Sequence, residues 1–402
     1  MANIFTGSST LNNALSVDSV NRYSALFDSE LSHQSNEAFS TITCRTPGTA
    51  SNLRAIILFN NRTSSTTLVY RANGADGNQT ITIGAGVAGT VEDTTHTDTL
   101  ADGDAMAVKS TTGAGSAESL AITYIGMSIA VTSGSAKQIA ASGSVGSSTA
   151  SLTQYLPVAG ALGQNNSENT ARIYAPVALT LSNLQVYVSA NARTTTTTYT
   201  SRNNGANGNQ SVSYTSGQTG LKEDTTNSDS VTAGNHFCAK RVTSTGTGTI
   251  TTKIVSCKVV TDGVGFPVFA KGTGNTGTDY YTFMSGDLEA GLTEADYAYP
   301  VPFNVTATNV TASVSANTST TDVAVKLRIN GADGTGVATI TASTSGGFRD
   351  TTNSDDVPAG DTLNYSVTGA TTGNPVIRAI GMFLTEYANP PSPTSGNFLA
   401  FM

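Results

Sequence analysis

The chain has 402 residues, enough for two to four domains that each bury their own core. Only 12% of residues are charged while 38% are hydrophobic, and a disordered chain normally shows the reverse, so a folded protein is expected. A formal net charge of -8 with no basic run longer than a pair such as Lys240-Arg241 leaves nothing to neutralise a row of phosphates, which excludes nucleic-acid binding.

Forty glycines, no tryptophan and long runs of Thr, Ser, Asn and Ala favour strands and turns, so the class expected is all-β. At the N-terminus, MANIFTGSSTLNNALSVDS lacks the basic and apolar regions of a signal peptide, and no stretch approaches the ~20 apolar residues of a membrane helix. Cytosolic synthesis and no membrane insertion are expected. Residues 11–23, LNNALSVDSVNRY, are the best of very few helix candidates.

From residue 53 onward the hydrophobic period is two. Leu53, Ala55 and Ile57 alternate with Arg54, Ile56 and Leu58, as in a strand with one buried face. RANGADG (71–77) supplies the Asn-Gly pair of a primed hairpin turn, and Ile81 and Ile83 resume the alternation. EDTTHTDTLADGD (92–104) follows, dense in carboxylates and hydroxyls.

The same text returns twice. RNNGANG (202–208) and RINGADG (328–334) repeat the turn, and EDTTNSDSVTAGN (223–235) and RDTTNSDDVPAGD (349–361) repeat the acidic stretch. From the first motif glycine to the Asp of DTT is 19 positions each time, at 74 to 93, 205 to 224 and 331 to 350. The offsets are 131 and then 126 residues, too long for a solenoid turn and right for a domain. Three tandem units are expected: 1–133 with an N-terminal arm, 134–263, and 264–402 with a Pro-rich C-terminal tail. About eight strand candidates per unit, with turn signals every 8–12 residues, point to three antiparallel β-sandwich domains of jelly-roll type. The Gly/Ser-rich joints at 132–148 and 271–279 read as linkers or docking segments.

The acidic stretch allows several chemistries. Asp93 and Asp98, with Asp224 and Asp229, then Asp350 and Asp355, are oxygen ligands of the kind calcium takes. They equally suit Asx turns that end one strand and begin the next, and a glycosidase-type carboxylate pair needs only two acids that meet in space. Carboxylates present in all three copies fit shared architecture better than one active site. His96 occupies the place of Asn227 and Asn353, while His33 and His236 have no repeated partner. No catalytic motif with family spacing appears. No catalytic, cofactor-binding or metal residue is therefore assigned, no cofactor is expected, and the protein reads as a non-enzyme.

Cys238 and Cys257 flank TSTGTGTIT, where a hairpin would set them opposite each other as a disulfide or as two buried thiols. The tail ends in Phe398, Leu399, Phe401 and Met402 behind PPSP, an apolar tip suited either to a neighbouring subunit or to its own third domain.

The turn RxNGA[DN]G followed by DTT[NH][ST]D…AG[DN] resembles repeated β-sandwich modules of tailed-bacteriophage virion structural proteins. That resemblance covers the middle of each repeat and implies a capsid decoration (cement), fibre or tail-associated component, synthesised in the host cytoplasm and residing in the virion. Its partners would be viral capsid or tail proteins and itself, as a homo-oligomer. Three similar domains could form a pseudo-threefold unit within one chain, or three chains a trimer, and closed symmetry favours the homotrimer. The rival reading is an adhesin binding host-surface glycans or a receptor, with Tyr280 and Tyr281 as candidate aromatic platforms.

Overall fold

The computed structural model describes residues 2–10, 14–15, 19–115, 118–132, 136–145, 151–275, 279–289, 291–369 and 372–387. The fold is all-β, and each repeat contributes eight main strands in two antiparallel sheets. In the first repeat these are Ala2–Ser9, Asn21–Ser24, Gly48–Asn60, Thr66–Ala72, Ala75–Ile83, Gly89–Leu100, Ala105–Thr112 and Leu120–Val131. Counted one to eight, they pair in the order 1-8-3-6 in one sheet and 2-7-4-5 in the other. That order is the jelly roll.

The second repeat gives the same two orders from Lys137–Val145, Leu152–Leu156, Leu179–Asn191, Thr197–Asn203, Ala206–Tyr214, Gly220–Val231, His236–Thr243 and Ile250–Thr261. The third uses Gly265–Asn275, Tyr280–Thr282, Val305–Asn317, Val323–Ile329, Ala332–Ile340, Thr362–Val367 and Pro375–Glu386. Its sixth strand is split into Gly346–Arg349 and Ser354–Val357.

The alternation read from sequence is the core. Leu53, Ala55 and Ile57, then Leu184, Val186 and Val188, then Val310, Ala312 and Val314 are all buried on strand three. Strand five presents Ile81 and Ile83, Val212 and Tyr214, and Ala338 and Ile340 from the opposite sheet. The Asn-Gly pairs joining strands four and five have positive φ at both residues, 51° and 78° in the first repeat, as a type I′ turn requires.

Three expectations change. In the helix candidate at 11–23, Ala14–Leu15 is a short strand on Leu120–Ala121 and Asn21–Ser24 is strand two; residues 11–13 and 16–18 lie outside the described residues. Backbone pairing with buried neighbours outweighs weak helix propensity there. The Gly/Ser-rich joints contain strands: Lys137–Val145 and Gly265–Asn275 are each strand one, paired to strand eight, with Ile139 and Ala141 and with Phe266, Val268 and Ala270 buried in the core. Cys238 and Cys257 are not hairpin partners, because strands seven and eight enter different sheets; both are buried free thiols. The C-terminal tail, 388–402, lies outside the described residues.

The repeats close on one another in a cycle. Arg54 and Gln185 on strand three of the first two repeats, and Arg349 beside strand three of the third, each reach the short segment ahead of strand three in another repeat. Arg54 donates to the Pro300 carbonyl, taking the first repeat to the third. Gln185 Nε2 donates to the Thr43 carbonyl at 3.1 Å, taking the second to the first. Arg349, paired beside Thr311, donates to the Pro176 carbonyl at 3.2 Å, taking the third to the second. At the centre the equivalent residues Ser29, Gly160 and Gly286 meet. Ser29 bridges Gly160, and a Cβ on Gly160 would lie 2.5 Å from the Gly286 carbonyl oxygen. One chain therefore forms a pseudo-threefold ring.

Candidate functional site

The repeated acids are built into the turns. Asp93 accepts from the backbone N–H groups of Thr80 (2.8 Å), Thr95 (3.0 Å) and His96 (3.1 Å) and from Thr95 Oγ1. Asp224 and Asp350 accept the matching set. Burial opposes ionisation of these carboxyls, but the converging N–H donors outweigh it and hold all three below the usual range, Asp350 at about 2. Asp98 accepts from the N–H groups of Asn78 (2.7 Å) and Gln79 (3.0 Å), and Asp229 and Asp355 do the same work. The second motif glycine leaves room for this carboxylate: a Cβ on Gly77 would lie 2.7 Å from Asp98 Oδ1. Each Asp thus ties strand five to strand six across the two sheets. Among the described residues no group of three His, Cys, Asp or Glu could hold a metal ion.

The motif arginine has a partner that the sequence reading missed. Arg71 forks onto Glu37 at 2.9 and 3.0 Å and also reaches Asp76 and the Gly74 carbonyl. Arg202 takes Glu168 at 2.7 Å, and Arg328 takes Glu294 at 2.8 and 2.9 Å. The separation is 34 residues in every copy (37 to 71, 168 to 202, 294 to 328), so a constant acid at fixed distance was a readable signal.

The histidines are held by separate local partners. His96 Nδ1 lies 2.9 Å from Asp93, His33 Nδ1 lies 3.0 Å from Ser24 Oγ, and His236 packs on the Tyr174 ring. Tyr280 is buried in the core; Tyr281 is half-buried, with the Arg328 guanidinium 5.7 Å from its ring centre, and lines a groove of about 150 Å³ with Lys326 and Asp333.

What differs between copies lies at the junctions. Position 92/223/349 reads Glu, Glu, Arg. Glu92 pairs with Arg54 beneath Pro300, Glu223 binds Arg45 of the first repeat at 2.8 Å, and Arg349 reaches Pro176 of the second. Two equivalent grooves open here. One of about 710 Å³ lies between the first and third repeats, lined by Ile57, Thr90, Glu294 and Pro300. The other, of about 410 Å³, lies between the second and first, lined by Tyr187, Leu221, Glu37 and Thr43. At the third junction Tyr174 lies flat against Gly347, whose Cβ would be 2.2 Å from its ring.

Several buried charges vary between the repeats, and only Glu30 has an acidic counterpart, Asp287 of the third repeat. Asp28 and Lys137 form an ion pair at 2.9 Å with both side chains fully buried. Lys271, at the place of Ser9 and Ser142, is pushed down to about 7, first by burial and then by Arg378; it lines a cavity of about 300 Å³ with Asp287, Arg378 and Gln164. Glu30 is raised to about 7 by burial and by Glu289.

No known family model matches the chain, and no curated protein matches it.

Proposed function

We propose that the protein is a virion structural component, a capsid decoration, fibre or tail-associated protein that acts by protein–protein contact. The observation that carries this reading is the ring. One chain sets three copies of a jelly roll around a common centre, and so offers a partner three near-equivalent surfaces, as a homotrimer would. A threefold position in a viral shell or on a tail matches that arrangement. The ring uses the cyclic contacts within the chain itself, so the unit that docks is one chain; further self-association would use other faces. Low charge density lets many copies crowd together, and the net charge of -8 keeps free chains apart. The carboxylates that recur in all three copies hold turns, which also fits a scaffold.

Mass spectrometry of purified particles tests the reading. The expected result is co-purification with a capsid or tail protein at one fixed ratio, with the isolated chain monomeric in solution. Absence from particles together with specific retention on a glycan array would overturn it in favour of an adhesin.

A further inference from the structure

The ion pair between Asp28 and Lys137 sits where all three repeats touch. Asp28 follows strand two of the first repeat, and Lys137 opens strand one of the second. Lys137 Nζ lies 3.0 and 2.9 Å from the two carboxylate oxygens. The third repeat completes the site: the Pro267 carbonyl accepts from Nζ at 3.2 Å, the Phe269 backbone helps hold the Asp28 carboxyl down, and the Phe266 ring centre lies 5.4 Å from Nζ. Both side chains are fully buried.

The jelly roll does not need this pair. Paired against the same position of strand eight, Lys137 corresponds to Ile4 and Phe266. At the repeat offsets, Asp28 corresponds to Ala159 and Ser285. The sister sites are filled by apolar or small residues, and a dry ion pair generally stabilises no better than such a filling. Its retention at one junction calls for a role beyond packing.

We propose that Asp28 and Lys137 are joined by an amide bond, an intramolecular isopeptide that locks the first repeat to the second. The neutral amine Nζ attacks Cγ of the neutral carboxyl group, forming the C–N bond. One C–O bond then breaks, and the hydroxyl leaves with a proton from the nitrogen as water. Ammonium plus carboxylate becomes amide plus water, with no oxidant, reductant or cofactor. The surroundings favour the neutral reactants: burial raises the Asp28 carboxyl to about 6 and lowers the Lys137 ammonium, against the mutual attraction of the pair. Fixed contact between the two groups replaces a bimolecular encounter. Since Pro267, Phe269 and Phe266 of the third repeat complete the site, the bond forms only after the ring has closed.

Intact-mass measurement of the full-length chain, denatured after incubation in the folded state near pH 6, reads the bond directly. The expected mass is one water below that of the linear chain, and a digest should yield one branched peptide holding both residues. The double variant Lys137→Ile/Asp28→Ala, which copies the sister residues Ile4 and Ala159 and leaves no buried charge unpaired, should fold and show the full linear mass. A folded wild-type chain with the full linear mass, or a water loss mapped to a cyclic imide elsewhere, overturns the proposal.

Discussion

Glu30 is a titratable probe of the ring centre. It follows Ser29, and its Oε2 lies 3.0 Å from the point a Cβ on Gly143 would occupy. Burial first, and the Glu289 carboxylate second, raise its pKa from the ordinary 4.5 to about 7. A carboxyl raised on folding binds its proton more tightly in the native state. Its contribution is therefore fully present below about pH 4.5 and is lost as the pH climbs through about 7. At 1.36 kcal/mol per pH unit that gap corresponds to at most ~3 kcal/mol, less whatever water relieves. Glu30→Gln keeps the shape and removes the charge. Above pH 7 the variant should be more stable than wild type by up to ~3 kcal/mol, and at pH 4.5 the two should coincide. Asp287 moves the same way, being raised by burial and then by Glu289 and Glu30. Denaturant midpoints of both proteins from pH 4.5 to 8 make the comparison; their difference cancels groups remote from Glu30 and keeps the relief of Asp287 from its charge. Parallel curves across that range would refute the reasoning.

Gly77→Ala should destabilise the first repeat by about 1–3 kcal/mol, because the new methyl meets Asp98 Oδ1 and the Tyr70 ring at 2.7 Å; thermal unfolding of this variant beside the Gly208 and Gly334 equivalents should show three similar losses. Arg45→Ala should cost about 1–2 kcal/mol, since it removes the fork onto Glu223 between repeats. The same change in a Glu223→Ala background should cost much less, which a double-mutant cycle would measure. The three thiols should resist a thiol reagent in the native protein and all react once it is unfolded. They are buried, and burial, the largest influence on each, pushes Cys44 up to about 11 and the other two higher still.

Local features were legible in the sequence because their causes are local. Leu53, Ala55 and Ile57 alternate whatever partner strand they meet, and Asn73-Gly74 makes its turn from its own φ preferences. Strand order was not legible. The jelly roll pairs strand one with strand eight and strand three with strand six, more than a hundred residues apart for Ile4 and Ile129, and neither side chain encodes that distance. Composition misled at 137–145, where Lys-Gln-Ile-Ala-Ala-Ser-Gly-Ser-Val reads as linker. Its few apolar side chains, Ile139, Ala140 and Ala141, are all buried against strand eight. The Arg71–Glu37 fork lay within reach, since the same separation occurs three times.

The acidic stretch that recurs three times combines two kinds of residue with opposite logic. Asp93 and Asp98 are constant because each repeat must tie strand five to strand six. The residue beside them, Glu92, Glu223 or Arg349, changes because it faces outward onto a different neighbour. In a ring of three identical subunits every junction must carry the same chemistry. Here one junction holds Arg54 and Glu92 under Pro300, one holds Arg45 on Glu223, and one sets Arg349 on the Pro176 carbonyl with Tyr174 against Gly347. Exchanging two repeats would bring Arg349 against Arg45 and leave Glu223 facing proline. Like charges in contact and a carboxylate without its fork select against that order. The divergence between copies therefore encodes the cyclic order of the repeats, which three identical domains on flexible joints could not specify.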